Sequence, residues 1–154
     1  MPLVRDAALA DLDFIVDSNA RIAEETEQRT LDRGYLVPGV RAVLTDPGKG
    51  RYFIAEDAGR PVGQLMYTTE WSDWRNGAFW WIQSVYVRQE ARRRGIFSLL
   101  YRHIERLARS SPGVCGIRLY MEAHNITARA TYLKLGLVDS GYQVLEVDFR
   151  QGAK

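Results

Sequence analysis

The residues best suited to chemistry lie between an apolar strand and a helix. Arg92, Arg93 and Arg94 precede Gly95, and apolar residues then recur at helical spacing over residues 96–107. A helix that begins directly after a glycine-containing loop presents its first backbone N–H groups and the positive end of its dipole, and both attract anions. The pattern is compatible with a phosphate-binding loop and equally with a solvated basic loop before an ordinary helix.

Two further groups of side chains are candidates for substrate binding. The predicted first helix ends in acidic residues that include Glu24 and Glu25. They form either a solvated helix end or a docking site for a cationic substrate. Trp71 and Trp74 lie at the turn of a predicted hairpin, where they either pack against the sheet or wall a substrate mouth.

Length and composition limit the class of protein. The chain has 154 residues, of which 46% are hydrophobic and 26% charged, and a net charge of +2. These values predict one globular domain over residues 1–154 and give no reason to expect a polyanionic partner. Cys115 is the single cysteine, so no intrachain disulfide can form. Because we also find no signal core and no apolar run long enough to span a membrane, we expect a cytoplasmic protein.

The elements that must position these residues alternate between helical and strand periods. Strands are predicted at 3–5, 51–56, 61–69, 79–87 and 114–121, with one or two closing strands within 137–149. Helices are predicted at 8–27, 40–44, 96–109 and 127–135, and a loop at 29–39. The three middle strands should form an antiparallel meander, and the helical crossover after them requires parallel pairing. The fold class is therefore mixed α+β.

A late segment and the basic loop together resemble a known family. Asn125, Tyr132 and Gly136 follow the spacing N-x6-Y-x3-G, and residues 85–87 (VYV) end the strand before the loop. With the order of elements, these features resemble the GNAT superfamily of acyl-CoA-dependent N-acyltransferases over nearly the whole chain.

The loop matches that family's pattern in part. The pattern is [Q/R]-x-x-G-x-[G/A], which Arg92 and Gly95 satisfy and Phe97 does not. Because such a loop binds pyrophosphate through backbone N–H groups, a bulky side chain that points away from the ligand is compatible with binding.

The resemblance implies a fold and a cosubstrate. The fold is a central twisted mixed sheet of six or seven strands flanked by about four helices. Strand 4 (79–87) is bulged and splayed from strand 5 (114–121). The cosubstrate is acetyl-CoA, and no metal is implied. In such a fold, backbone groups of Val85 and Val87 pair with the pantetheine arm as an added strand would. The residues implied to bind the cofactor are Val85, Val87, Arg92, Arg93, Arg94, Gly95, Ile96, Phe97, Ser98 and Asn125.

Catalytic roles also follow from the resemblance. Tyr132 occupies the position whose hydroxyl protonates the departing thiolate, although a tyrosine there is also compatible with a core position. Asn125 is either an ordinary helix cap or a cap that also contacts the cofactor. Gln83 and Ser84 stand where some relatives carry a carboxylate. The resemblance therefore implies that the general base is a water chain or a more distant carboxylate. Of the distant carboxylates, that of Glu122 is nearest the cleft. The substrate-side candidates are Gln83, Ser84, Glu24, Glu25, Trp71 and Trp74.

The expected function is acetyl transfer from acetyl-CoA to a primary amine by direct attack in a ternary complex. A small amine, a polyamine or an amino-acid-like acceptor is favoured. The alternatives are a protein or peptide N-acetyltransferase and a non-catalytic acyl-CoA sensor of the same fold. Nucleic-acid binding through the arginines of the long helix is a further alternative. Glu90 and Glu105, which interrupt the run of arginines, and the low net charge argue against it. Residues 144–149 are a candidate segment for homodimer formation.

Overall fold

A computed structural model describes residues 1–150 of the chain. These residues fall into two compact units, divided after Tyr120, which are described separately below. The expectation that residues 1–154 form a single domain stays a prediction.

The first unit contains one sheet whose strands lie in chain order. They are β1 (Leu3–Asp6), β2 (Arg51–Asp57), β3 (Arg60–Ser72), β4 (Gly77–Val87) and β5 (Val114–Leu119). Neighbouring strands pair antiparallel except β4 and β5, which are parallel. The predicted meander and the parallel pairing after the crossover are both confirmed.

Three helices belong to the first unit. They are α1 (Leu12–Glu27), α2 (Arg33–Thr45) and α3 (Ile96–Ser110). On one side of the sheet, Ile15 and Val16 of α1 and Val40 of α2 form a buried cluster with Tyr52, Ile54 and Met66 of the strands. On the other side α3 approaches so closely that a Cβ on Gly63 would lie 3.1 Å from Ile96 Cγ2. Of the helices in the described part of the chain, none is long and apolar enough to cross a membrane.

The prediction of a loop at 29–39 followed by a short helix at 40–44 is wrong. The helix α2 already begins at Arg33, after Asp32 accepts a 2.8 Å hydrogen bond from the Gly34 N–H, and it contains Pro38. A proline inside a helix removes one backbone hydrogen bond. The apolar side chains of this helix, which include Leu36 and Val37, pack against the buried cluster and offset that loss.

The closing strands predicted within 137–149 do not form. Residues 137–150 contain no strand, so the sheet over the described residues has five strands rather than six or seven. The segment has the β-branched and aromatic residues typical of strands, including Val144, Val147 and Phe149, and these side chains are exposed. Strand propensity alone does not make a strand, because a strand requires a partner for its backbone groups.

The second unit is built around α4 (Ile126–Lys134), close to the predicted 127–135. Asn125 caps its start by accepting a 3.1 Å hydrogen bond from the Ala128 N–H. Gly136 has φ of 98° after its end. The Gly136 N–H donates to the Leu133 carbonyl and the Leu137 N–H to the Tyr132 carbonyl, which is a Schellman motif. The predicted left-handed end of this helix is confirmed.

We expect Asp11→Asn to lower the free energy of unfolding by about 2 kcal/mol. Asp11 is buried, accepts two 2.8 Å hydrogen bonds from the Arg5 guanidinium, and accepts a third from the Ala8 N–H. An amide carries no charge to pair with Arg5 and offers one acceptor oxygen in place of two. Urea denaturation of both proteins measures the difference. Asp17→Asn is the control, because Asp17 pairs with Arg33 on the surface and should lose no more than about 1 kcal/mol.

The same substitution gives a pH signature. The hydrogen bonds from Arg5 lower the pKa of Asp11 from its ordinary value of 3.8. A carboxyl group with a lowered pKa stabilises the fold above its ordinary pKa, and this contribution is lost as the pH falls through the lowered value. The difference between the wild type and Asp11→Asn should therefore be constant at neutral pH and shrink below about pH 4. A difference that grows on acidification would contradict this role for Asp11.

Candidate active site

The strand β4 carries one extra residue opposite β3. Gln64 pairs with Tyr86 and Met66 pairs with Gln83, so two steps along β3 correspond to three along β4. Ser84 lies in the extra segment with φ of 53°, in the left-handed region that residues other than glycine seldom adopt. The bulge expected in this strand is therefore present at Ser84.

One edge of β4 is open beyond the bulge. The parallel pairing with β5 runs from Ala78 opposite Val114 to Ile82 opposite Leu119 and stops there, whereas β4 continues to Val87. Within residues 1–150 no strand pairs with the last part of β4 on this side. Because β5 ends at Leu119, the edge of β4 beyond Ile82 is open, and an open strand edge can take an extended ligand. The expected splay of the two strands stays a prediction.

The loop after β4 ends at the start of α3. Gly95 takes the N-cap position with φ of 77°, and Arg93 also has a positive φ, of 63°. The Leu99 N–H donates a 3.0 Å hydrogen bond to the Gly95 carbonyl as the helix begins. The backbone N–H groups at the start of α3 point out of the helix N-terminus, as in every helix, and the helix dipole favours an anion there.

The three loop arginines have different surroundings. The Arg92 Nε donates to the Val87 carbonyl at 2.9 Å, and its Nη2 donates to Glu25 of α1 at 2.8 Å. Arg94 pairs with Asp57 at 2.6 Å. Arg93 is exposed and has no ion pair within the described residues. Arg92 and Arg94 therefore brace the loop, and Arg93 is best placed to meet a phosphate.

The side chain of Phe97 lies along α3. Its ring is half-buried, with its centroid 6.3 Å from that of Tyr101 one turn later. The residue that departs from the family pattern therefore packs along the helix. Ile96, the first residue of α3, is buried, and Ser98 is half-buried.

Gln83 lies on the sheet face that also carries Thr68 and Trp81. The Gln83 Nε2 donates a 2.6 Å hydrogen bond to Thr68 Oγ1. Glu70, two residues after Thr68 on the same face of β3, accepts hydrogen bonds from Trp81 Nε1 at 3.1 Å and from Arg118 at 2.8 Å. Glu70 was not among the predicted site residues, because the candidate carboxylates were those of α1 and of the chain after β5, and none of β3.

The indole of Trp81 also stacks on Tyr120. The ring centroids are 4.4 Å apart, and Tyr120 is exposed. Trp80, the preceding residue, is buried on the opposite face against Tyr67. The two tryptophans thus face opposite sides of the sheet, which leaves an aromatic pair beside a carboxylate on the face of Gln83.

The other substrate-side candidates lie elsewhere. Trp71 and Trp74 are 65% and 85% exposed, and Trp71 pairs with Ala78 near the far end of the hairpin. Ala78 is five residues from Gln83, which is about 16 Å along a strand. Glu24 is exposed, whereas Glu25 lies beside the loop after β4 in its pair with Arg92. The structure thus brings Glu25 to the loop and does not bring the two tryptophans to Gln83.

The second unit contains the remaining candidates. Tyr132 lies on α4 and is partly buried, and burial raises the pKa of its hydroxyl above the ordinary value of 10.0. Asn125 uses its side-chain oxygen for the helix cap. The exposed Glu122 accepts a 2.9 Å hydrogen bond from the His124 N–H. The described residues contain no cluster of histidine, cysteine or acidic side chains able to hold a metal ion.

The chain is similar to known proteins in sequence and in fold. The sequence matches the Acetyltransferase (GNAT) family over residues 14–137. The structure is similar to that of a possible acetyltransferase from Clostridium difficile 630, with 44% identity and a TM-score of 0.89, covering 96% of this chain and 97% of that one. No curated protein matches the sequence.

Two more distant structures share the fold. One is a predicted acetyltransferase with acetyl-CoA from Clostridium acetobutylicum, with 19% identity, a TM-score of 0.78 and 96% of each chain covered. The other is a ribosomal-protein-alanine N-acetyltransferase from Brucella melitensis biovar Abortus 2308, with 14% identity and a TM-score of 0.77, covering 97% of this chain and 99% of that one. At these identities the likeness concerns the fold alone.

Proposed function

The chain belongs to the GNAT family of acetyl-CoA-dependent acetyltransferases, and we propose that it acetylates the primary amine of a small cationic molecule. The observation that carries the acceptor class is the group formed by Trp81, Tyr120 and Glu70 on the face of Gln83. Aromatic faces attract a cation. The Glu70 carboxylate already pairs with Arg118 at 2.8 Å, and its two oxygens keep lone pairs that can accept a further hydrogen bond from an amine. A polyamine-like or amino-acid-like amine offers both a cationic group and a nucleophile.

The open edge of β4 and the start of α3 supply the groups for acetyl-CoA. In this proposal the backbone of Val85 and Val87 pairs with the pantetheine arm, and the amides of residues 93–98 bind the pyrophosphate. Arg93 provides a mobile charge for a phosphate, supported by its exposure and its lack of an ion pair within residues 1–150. Asn125 both caps α4 and contacts the cofactor.

The reaction requires a neutral amine, a polarised thioester carbonyl and a proton for the thiolate. The amine nitrogen forms a bond to the carbonyl carbon, the carbon–sulfur bond breaks, and the sulfur receives a proton from the Tyr132 hydroxyl. The Gln83 amide already donates to Thr68, so its carbonyl oxygen remains to accept a hydrogen bond from the amine or from a water molecule. That water, or Glu122, takes the proton lost by the amine.

A screen for release of free coenzyme A thiol tests the acceptor class. We expect diamines, polyamines and amino-acid amides to release thiol from acetyl-CoA faster than peptides with free N-termini or lysine side chains. Glu70→Gln should raise KM for the best cationic acceptor severalfold and leave the affinity for acetyl-CoA unchanged. Turnover with peptides alone would support a protein N-acetyltransferase instead. Acetyl-CoA binding without thiol release from any amine would support a sensor.

Two further properties belong to the proposal. The exposed side chains of Val144, Leu145 and Val147 are compatible with a homodimer formed through residues 144–149. The exposed thiol of Cys115 has no cysteine partner and suits a reducing, cytoplasmic compartment.

A further inference from the structure

A buried glutamine on β3 contacts the bulge of β4. Gln64 is fully buried, and its Nε2 donates hydrogen bonds to the Ser84 carbonyl at 2.9 Å and to Asn19 Oδ1 at 3.0 Å. Asn19 of α1 is also buried and donates to the Tyr52 hydroxyl at 3.2 Å. A line of hydrogen bonds therefore runs from Tyr52 of β2 through the side chains of α1 and β3 to a backbone carbonyl in the irregular segment of β4.

This arrangement is costly if its role is only to fill the core. Burying an amide loses its hydrogen bonds to water, and an apolar side chain of the same size avoids that loss. The Gln64 Oε1 atom also has no hydrogen-bond partner among the described residues. The two donated bonds, rather than the packing, are what a glutamine supplies here.

The bulge explains why the Ser84 carbonyl needs a side-chain donor. In a regular antiparallel ladder the carbonyls that face the neighbouring strand accept from its backbone N–H groups. The extra residue in β4 interrupts this pattern, and the left-handed φ of Ser84 turns its peptide away from the regular position. The Gln64 amide replaces the missing ladder donor.

Holding this carbonyl also orients an N–H group. The Ser84 carbonyl and the Val85 N–H belong to one trans peptide, so they point in opposite directions. Because Gln64 holds the carbonyl from the side of β3, the Val85 N–H points away from β3, where β4 has no strand partner beyond Ile82. This N–H lies in the open stretch of β4.

We propose that Gln64 is a positioning residue that aims the Val85 N–H at bound acetyl-CoA by holding the Ser84 carbonyl. The proposal rests on the proposed binding of acetyl-CoA along β4. Gln64 does not touch the ligand, so its effect must appear as a change in one backbone amide rather than as a general loss of structure.

The direct test is amide hydrogen exchange measured by NMR with and without acetyl-CoA. In the wild type, acetyl-CoA should protect both the Val85 N–H and the amides at the start of α3. In Gln64→Met, which is close in size and has no donor, protection of the Val85 N–H should fall while the amides of α3 stay protected. The dissociation constant for acetyl-CoA, measured by calorimetry, should rise about fivefold, as expected for one lost hydrogen bond.

Ile54→Val is the matched control. Ile54 pairs with Gln64 across β2 and β3 and is fully buried, so its truncation perturbs the same place without a polar change. It should leave the dissociation constant and the Val85 protection unchanged. Gln64→Leu is the second variant, for use if Gln64→Met does not fold. Its apolar side chain cannot donate to Ser84, so it should lose the same protection.

Two outcomes overturn the proposal, and a third concerns its premise. If Val85 stays protected in the Gln64 variants, Gln64 does not aim it. If Ile54→Val weakens binding as much as Gln64→Met, the effect is one of core packing. If acetyl-CoA in the wild type protects the amides at the start of α3 but not that of Val85, the proposal for Gln64 is wrong and the proposed binding site stands. If acetyl-CoA protects neither region, the proposed binding site is itself wrong.

Discussion

Replacing Tyr132 with phenylalanine should lower kcat by about one to two orders of magnitude and leave the dissociation constant for acetyl-CoA nearly unchanged. The substitution removes one hydroxyl group and keeps the ring. In the proposed reaction that hydroxyl protonates the thiolate, which is formed only as the carbon–sulfur bond breaks. Stopped assays of thiol release give kcat, and calorimetry with acetyl-CoA gives the dissociation constant.

The pH dependence of the same variant tests the direction of proton transfer. An acid must carry its proton before the reaction, and burial raises the pKa of Tyr132 above 10.0. Ionisation of Tyr132 should therefore reduce kcat only above pH 10, and the proton is present throughout the neutral range. A fall in the wild-type kcat centred near pH 8 that disappears in Tyr132→Phe would contradict this assignment.

Tyr142→Phe is the matched control for Tyr132→Phe. Tyr142 is 72% exposed and lies in the same unit, so it reports the effect of losing a phenolic hydroxyl away from the proposed chemistry. Its kcat should equal that of the wild type. An unchanged kcat for Tyr132→Phe as well would remove Tyr132 from the acid role and leave the thiolate to be protonated by water.

Features set by local rules were predictable from the sequence. The N-terminus of α3 follows from a glycine before an apolar helical period, and the end of α4 follows from Gly136. The hairpin of β2 and β3 follows from turn residues between two apolar strands. In each case the residues that decide the structure are adjacent in the chain.

Features set by tertiary contacts were not predictable in the same way. Pro38 indicated a break, and the burial of the apolar face of α2 overrode it. The apolar residues of 137–149 indicated strands, but a strand depends on its partner, which propensity does not specify.

The site shows the same division. Arg92 and Gly95 were identified as loop residues, whereas the pair that Arg92 forms with Glu25 joins positions 67 residues apart. Gln64 gave one signal that the sequence analysis did not use. It is a long polar residue inside the apolar stretch 61–67 of β3, where an amide without a partner would be costly. Its two acceptors, on α1 and β4, are evident only in the fold.

Gly95→Ala should weaken acetyl-CoA binding at least about tenfold, although it creates no clash within the protein. Gly95 has φ of 77°, and outside its adjacent residues a Cβ there would meet no atom within 4 Å. An L-residue in this conformation costs about 1 kcal/mol. The loop relieves that strain by rotating its peptides, and the added methyl group occupies open space at the start of α3. Both changes disturb the backbone groups proposed to bind the pyrophosphate.

Gly113→Ala separates backbone strain from ligand binding. Gly113 has φ of 83° in the turn after α3, and a Cβ there would also meet nothing within 4 Å. Both variants should therefore lose about the same free energy of unfolding, near 1 kcal/mol, and only Gly95→Ala should lose affinity for acetyl-CoA.

A truncated donor such as acetyl-pantetheine, which lacks the nucleotide phosphates, should show the same kcat/KM with Gly95→Ala and the wild type. If the truncated donor is impaired as strongly as acetyl-CoA, the substitution acts on the whole open edge of β4 rather than on a phosphate site. If both glycine variants bind acetyl-CoA equally well, the start of α3 does not hold the pyrophosphate.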